Sequence, residues 1–441
     1  MNQDEILSPL FTDLYELTMM VTYSENHLAG KATFSLFIRR SAEVHRGYFV
    51  AAGLEDALSG LERLRFTESD MDYLRRLNLF SEEFIRSLAG FRFSGEVWAM
   101  PEGTICFGDE PLMEVTAPIA ESQLVETFLI NTLSFQTNIA TKALRCVHAA
   151  QGRPISDFSL RRTQGLDAGL QVARSSYISG FTGTSNVLAG KRYGIPVFGT
   201  MAHSFIQAIG TDTEAFRTFA RTFPDSSIFL IDTFDVIAGA HSAAEIGREM
   251  AAAGHRLKGV RIDSGDMAVS SRQVRQILDD AGLQYVQVIA TSSFDEYKID
   301  KVLSTGGAID SFGVGTRLGV SADLPYLDMV YKLVCYEGRN VKKTSPGKHT
   351  LAGEKQVFRK TDAKGCFSED ILGIRHESID GAEPLLIQVM ENGQRIQPSP
   401  SLLEIREKIQ TGFSRLDARY KDLRQTDTYP IHLSQRLSEI Q

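Results

Sequence analysis

Cysteine is scarce: Cys106, Cys146, Cys335 and Cys366 stand far apart in 441 residues with no CxxC pair. That spacing excludes a disulfide framework and a thiolate zinc site, and makes a reducing, cytoplasmic setting the expectation. No run of about 18 uncharged apolar residues occurs, and residues 1–11 lack a basic stretch followed by an apolar one, so neither membrane spanning nor secretion is expected. Basic residues are outnumbered, 47 Lys and Arg against 55 Asp and Glu, leaving a formal net charge of -8. Without a clustered basic face there is no electrostatic grip on nucleic acid. Any phosphate the protein holds must be held locally. Internal repeats and low-complexity tracts are also missing.

What is present is a chain 43% hydrophobic and 23% charged, long enough to bury a large core and to form two or three domains. Residues 10–23 (LFTDLYELTMMVTY) predict a helix capped by Thr12 or Asp13, with Leu14, Leu17 and Val21 facing a core and Tyr15 turned off that face. Residues 32–38 alternate like a strand, residues 48–64 read as a turn at Gly53 entering a helix, and residues 96–118 hold two strand-like runs around Gly108 and Asp109. Residues 1–119 therefore predict a small α+β domain. Residues 120–150 contain neither Gly nor Pro and keep helical periodicity, predicting one long helix or two abutting ones.

Beyond it, six apolar runs ending in small or acidic residues alternate with amphipathic stretches: PISDFS, IPVFGTM, SIFLIDT, LKGVRIDSGD, VQVIATSS and SFGVGT. After a longer first gap they recur about every 24 to 32 residues, which suits one βα unit each. The fold class expected is α/β: an irregular TIM-like (β/α) barrel over residues 120–333, ringed by helices such as 236–253 and 273–281. Residues 334–441 turn to strand-like, Lys- and Gly-rich segments and then a charged helix over 401–423, a pattern expected to complete the smaller domain.

In such barrels reactive groups collect at the carboxyl ends of the strands. The first run ends in DFSLRR, offering the Phe158 ring and the guanidiniums of Arg161 and Arg162; adjacent arginines at a helix start oppose the macrodipole, which argues for an anionic ligand. The turn GFTGTSN, containing Ser185, can offer amides and hydroxyls to a ligand or simply cap a helix. The second run delivers Thr200 and His203, and an imidazole at a strand end reads as functional. Asp232 ends the third run, where a carboxylate binds Mg²⁺ or orients His203, while Asp235 is equally an N-cap. In RIDSGD, alternation puts Arg261 and Asp263 on one side, facing the interior, where charges are costly unless paired or used; Ser264 and Gly265 follow. Ser292 adds a hydroxyl, and Gly313, Gly315 and Thr316 form a turn that lets a backbone approach phosphate closely. Phosphate cradles, arginines, magnesium-type carboxylates and one histidine describe an enzyme acting on a phosphorylated sugar.

The strings TDLYELTM, ETFLINTLSFQTNIATKA, DFSLRRTQG, GFTGTSN, FGTMAHS, LIDTFD, RIDSGD, ATSSFDE and FGVGT, in that order along essentially the whole chain, make it resemble the nicotinate phosphoribosyltransferases. The resemblance implies an enzyme, formally a ligase, that makes nicotinate mononucleotide and pyrophosphate from nicotinate and phosphoribosyl pyrophosphate in NAD biosynthesis. It further implies ATP hydrolysis coupled through a phosphohistidine at His203, with Mg²⁺ as cofactor. By the same resemblance Phe158 stacks on the pyridine ring, helped by Tyr15 from the second subunit of a homodimer with shared active sites, and Arg261 reads the carboxylate. Asp263 would face the ribose hydroxyls or the metal, with Asp232 as the other metal candidate. Gly313, Gly315 and Thr316 would hold the ribose phosphate and Arg161 the pyrophosphate, while Ser185, Thr200, Ser264, Gly265 and Ser292 complete the implied substrate contacts. Related nicotinamide enzymes carry aspartate where Ser185 stands, and a carboxylate there would attract an amide and repel an acid, so Ser185 favours nicotinate. The chain departs from the family at Ser159, where glycine is expected, and at Thr163, where a smaller or apolar residue is expected.

Three other readings stay open at this level. One is a nicotinamide or quinolinate phosphoribosyltransferase on a related barrel, and another a relative that keeps the pocket without the chemistry. The third, a phosphosugar aldolase or isomerase, would need a lysine or glutamate at a strand end.

Overall fold

The computed structural model describes residues 8–40, 46–343, 350–424 and 427–441 and is a mixed α/β fold. It divides into two compact units, one of Met1–Asn138 with Tyr326–Gln441, the other of Ile139–Pro325.

The first unit is built on an antiparallel sheet of seven strands. Pro111–Pro118 lies at its middle; Lys31–Ile38 and then Met329–Tyr336 follow on one side, and Glu96–Ala99 and then Ile387–Glu391 on the other. N-terminal and C-terminal segments thus share one hydrogen-bonded layer. The alternation expected at residues 32–38 is overridden, for every residue from Ala32 to Ile38 is buried. Both faces are covered. On one, the Ser122 hydroxyl reaches the Ala32 carbonyl at 3.2 Å; on the other, Thr33 bonds Thr116 at 2.9 Å and Glu354 at 2.7 Å. Buried Glu114, beside Ser35 in register, is neutralised by Lys355 at 3.1 Å and by Arg375. Lys355–Thr361 belongs to a second sheet of four strands with Ala382–Pro384, Phe367–Ile374 and Ile431–Leu433.

The N-terminal helix spans Leu14–Glu25 from Asp13. Leu17 faces the core as expected, but Leu14 is 51% exposed and the buried side chain of that turn is Glu16. The Glu16 carboxylate is what the local hydrogen bonds require: it accepts from the Thr12 hydroxyl, and from the Thr127 backbone N–H at 3.1 Å and hydroxyl at 2.5 Å. Residues 120–150 become two abutting helices, Ile119–Leu124 and Glu126–Ala149.

The second unit carries a parallel sheet of six strands in the order Gly183–Thr184, Ile155–Asp157, Ser311–Val314, Gln287–Ala290, Gly259–Ile262, Ile228–Leu230. Five of the six expected runs supply strands. The exception is IPVFGTM, which contributes a single bridge from Val197 to Thr184, while Gly183–Thr184 takes the strand position. Val197 and Phe198 are 45% and 43% exposed, so this run has no core to hold it extended. Among the described residues no ladder joins the two outer strands, so where an irregular barrel was expected the structure shows an open six-stranded parallel sheet. Three of the helices between the strands start at aspartates that stand four or five residues past a strand end: Asp235 caps Val236–Ala252, Asp266 caps Met267–Asp280, and Asp295 caps Glu296–Ser304. Each side chain accepts from backbone N–H groups of the first turn. Among the described residues no helix is long and apolar enough to cross a membrane.

Candidate active site at the parallel-strand ends

In-register parallel strands bring their carboxyl ends to one edge, and the residues just past those ends touch in a row. Phe158 extends Ile155–Asp157 by donating its N–H to the Val314 carbonyl at 2.8 Å. Its ring lies on Gly313 so closely that a Cβ there would sit 2.5 Å from Cδ2 and 2.6 Å from the Thr291 methyl. The Thr291 hydroxyl donates to Asp263 Oδ1 at 2.5 Å, and the Asp263 N–H donates to Asp232 Oδ2 at 2.9 Å. The row ends at His203, whose Nδ1 lies 3.1 Å from the Thr233 hydroxyl and whose Nε2 lies 3.8 Å from Asp263 Oδ2. Phe158, Gly313, Thr291, Asp263, Asp232 and His203 therefore form one continuous line across five strand ends.

His203 does not stand on a strand. It opens the helix His203–Ile209 after an extended Ala202, half-buried, with one ring nitrogen tied to Thr233 and the other turned toward a carboxylate. The irregular segment before it is pinned by Arg261, whose Nη2 donates to the Met201 carbonyl at 3.0 Å; the Thr200 hydroxyl reaches the same carbonyl at 3.3 Å. Arg261 and Asp263 share one side of their strand while Ile262 is fully buried on the other. Burial presses the Arg261 guanidinium below its ordinary range and Arg161 adds to this, opposed by the Asp263 and Asp232 carboxylates. Two buried atoms here have no hydrogen-bond partner, Arg261 Nε and Asp232 Oδ1. A donor and an acceptor desolvated without partners are costly in a folded chain unless water or a ligand completes the set.

The remaining expected residues take these places. Ser264 donates its hydroxyl to Asp232 Oδ2 at 2.5 Å, and Gly265 turns the chain with φ +81°. Arg161 and Arg162 lie exposed in the short turn Leu160–Arg162. Ser185 is half-buried, its N–H held by the Asp157 carbonyl at 2.8 Å. Gly315 and Thr316 begin the short helix Thr316–Gly319, with Gly315 close under the Phe158 carbonyl. Ser292 sits at φ +95°. Tyr15 belongs to the first unit, 45% exposed, where burial and Glu126 push its phenol upward. The two departures at Ser159 and Thr163 face Gly319, where a Cβ would come within 2.8 Å of Ser159 and 2.5 Å of Thr163. A bare glycine there makes the room that the larger side chains need.

Sequence reasoning gave no part to Thr233, which orients His203, nor to Asp157, and saw Thr291 only as one of several strand-end hydroxyls, not as the residue that orients Asp263. Asp157 is fully buried, and burial raises its carboxyl; it accepts from the Ser159 N–H at 2.9 Å and the Thr184 hydroxyl at 2.7 Å, shaping both neighbouring turns. Lys298 was also missed. Its ammonium donates to the Ser292 carbonyl at 2.5 Å, and burial and then Arg317 lower it against the pull of Asp295 and Asp263. The signal was available: a lysine in the first turn of a helix opposes the macrodipole, as the paired arginines do.

The chain matches three family models in order: the nicotinate phosphoribosyltransferase N-terminal domain over residues 10–134, the nicotinate phosphoribosyltransferase family over 154–345, and the nicotinate phosphoribosyltransferase C-terminal domain over 380–441. It is 46% identical over 432 residues to nicotinate phosphoribosyltransferase pncB2 of Mycobacterium tuberculosis, covering 97% of this chain and 92% of that one. The chain belongs to the nicotinate phosphoribosyltransferase family. A second relative, nicotinate phosphoribosyltransferase of Bacillus subtilis, is 37% identical over 466 residues, with 98% and 94% of the two chains covered. Among solved structures, human nicotinic acid phosphoribosyltransferase superposes with a TM-score of 0.86 at 27% identity over 97% of this chain and 99% of that one. Nicotinate-nucleotide pyrophosphorylase of Pyrococcus furiosus does so at 0.77 and 26%, over 94% and 97%. The family's mixed α/β architecture is therefore the architecture of this chain.

Proposed function

We propose that this chain is an ATP-coupled nicotinate phosphoribosyltransferase, joining nicotinate to the ribose of phosphoribosyl pyrophosphate and releasing pyrophosphate. The observation that carries the reading is the row from Phe158 to His203: an aromatic face, a desolvated arginine, two carboxylates and an oriented imidazole on adjacent strand ends. Family membership supports it over an aldolase or isomerase.

In this reading the pyridine ring lies on the free face of Phe158, whose other face is backed by Gly313, and the Arg261 guanidinium pairs with the carboxylate. Because the Phe158 ring fills the space beside Gly313, the ribose phosphate falls to the backbone N–H groups of Gly315 and Thr316. The pyridine nitrogen bonds to the anomeric carbon as the bond to pyrophosphate breaks, so negative charge grows on the leaving group, toward Arg161. Catalysis of such a step is mostly positioning and electrostatics. Asp263 and Asp232 hold the ribose hydroxyls and cap the charge distribution from the other side.

His203 is the phosphoryl carrier. Thr233 occupies Nδ1, leaving Nε2 as the nucleophile toward the γ-phosphorus of ATP; the N–P bond forms as ADP leaves, and water later breaks it to phosphate. Magnesium fits the residues present. Among the described residues no group of three or more metal-binding side chains occurs, but this ion characteristically takes one or two protein carboxylates and substrate phosphates, and Asp232 Oδ1 is unpartnered. When bound, Mg²⁺ would screen phosphate oxygens from the Asp232 and Asp263 carboxylates. The reading extends to an irregular barrel, a cytoplasmic setting, and a homodimer in which Tyr15 of one subunit completes the site of the other.

The test is the acceptor assay. Nicotinate, nicotinamide and quinolinate are each supplied with phosphoribosyl pyrophosphate, with and without ATP; pyrophosphate release should be fastest with nicotinate and stimulated by ATP. Label from γ-phosphate-labelled ATP should appear on wild type as an acid-labile adduct and be lost in His203→Ala, which should still bind nicotinate. A preference for nicotinamide or quinolinate, or equal labelling of the variant, would sink the assignment.

A further inference from the structure

The turn between the strand Gln287–Ala290 and the helix Glu296–Ser304 is built against its own backbone preferences. Ser292 and Ser293 stand at φ +95° and +51°, a region that residues with side chains rarely enter, and neither is glycine. Such a conformation persists only when its surroundings over-determine it. Three ties meet at this turn. Asp295 caps the helix through the Lys298 N–H at 2.8 Å and pairs with Arg317 at 2.5 Å. Glu296 is fully buried against Lys142 at 2.5 Å and Arg145 at 2.9 Å, both also fully buried, and Lys142 reaches on to Asp323 at 2.7 Å. Those two ties fix the start of the helix. The third is the Lys298 ammonium, which folds back over the Phe294 ring, 4.7 Å from its centroid, and donates to the Ser292 carbonyl at 2.5 Å. Of the three it is the one that reaches the strained residues themselves.

What the turn delivers is Thr291. Its backbone is held by Ile262 at 2.9 Å, its methyl lies against Gly313, and its hydroxyl donates to Asp263 Oδ1. We propose that Lys298 is a positioning residue: by holding the Ser292 carbonyl it keeps the strained turn in the conformation from which Thr291 fixes the Asp263 carboxylate. A cation at this place is unfavourable for the helix, whose first turn prefers acidic residues, so an ordinary surface role does not account for it. The inference rests on the functional reading above in assigning Asp263 to the phosphoribosyl substrate.

The experiment uses the full chain with Lys298→Met, Lys298→Arg and Thr291→Val. Hydrogen exchange of the unliganded protein should show amides of residues 291–295 exchanging about tenfold faster in Lys298→Met, with the sheet unchanged. Kinetically, kcat/KM for phosphoribosyl pyrophosphate should fall about tenfold or more while KM for nicotinate stays within about twofold, since Phe158 and Arg261 do not touch Lys298. Lys298→Arg, which keeps a charged donor, should recover most of the loss, and Lys298→Met should add less than about twofold in the Thr291→Val background. Unchanged exchange in the turn, an equal loss for both substrates, or full multiplication with Thr291→Val would each overturn the proposal. Wild-type protein that makes no nicotinate mononucleotide would defeat the functional reading instead, and the exchange comparison would then decide the lock alone.

Discussion

At the scale of single residues, the site depends on where side chains are absent as much as on where they are present. Gly313 is required because the Phe158 ring and the Thr291 methyl already occupy its Cβ position. Gly313→Ala should push the ring off its seat and raise KM for nicotinate at least about tenfold, at a cost of about 1–3 kcal/mol in stability, measurable by steady-state kinetics and denaturant melts. Ser185 tests specificity. Its backbone is already tied to Asp157, so Ser185→Asp changes charge without changing that tie. The variant should lose nicotinate activity by about tenfold or more and gain relative activity with nicotinamide, read as the ratio of the two kcat/KM values. The candidate row itself was legible as residue types, since Phe158, Arg261, Asp263 and His203 all stand out at the ends of apolar runs. Lys298 was passed over, because a lysine in the first turn of a helix looks like solvent-facing charge unless its conflict with the helix dipole is weighed.

At the scale of elements, the helix Leu14–Glu25 shows chemistry overriding periodicity. Helical spacing put Leu14 inward, yet Glu16 is the buried side chain and Leu14 is exposed. The Glu16 carboxyl is pushed up to about 7: burial raises it, hydrogen bonds from Thr12 and Thr127 oppose the rise, and Glu126 adds to it. A carboxyl raised in the folded state favours folding fully below its unfolded value of 4.5, and that contribution is lost as pH rises through 7. The unfolding free energy of the wild type from urea titrations should therefore fall between about pH 4.5 and about 7, by a few kcal/mol at most, and Glu16→Gln should flatten that dependence. An unchanged slope in the variant would remove Glu16 as its source. The parallel sheet of the second unit teaches the opposite lesson: Asp235, Asp266 and Asp295 are helix caps, a role that aspartates just past a strand and just before a helical period announce locally.

At the scale of the whole molecule, the first unit is closed by both ends of the chain, since Ile387–Glu391 pairs with Glu96–Ala99 in one sheet. That unit presents Tyr15, while the second presents His203. If sites are shared in a homodimer as proposed, Tyr15→Ala and His203→Ala variants, each nearly inactive, should complement when unfolded and refolded together. Random pairing gives half heterodimers with one intact site in two, so about a quarter of wild-type activity should return. Light scattering should give a particle near twice 48.9 kDa. No recovery on mixing would place Tyr15 outside the catalytic site of its neighbour.

The amino-acid sequence by itself determined the succession of strands and helices in the second unit, the capping aspartates, and the residue types waiting at each strand end. These follow from hydrophobic period and from hydrogen bonds that close within a few residues. Tertiary structure alone decided that the run before His203 makes one bridge and then opens a helix. It also decided that Thr233 orients His203 across 30 residues, that Thr291 orients Asp263 across 28, and that Asp232 takes the Asp263 N–H across 31. The reason is register. Which side chains meet depends on how neighbouring parallel strands align their ends, and that alignment is set by packing among whole βα units rather than by any local pattern within one of them.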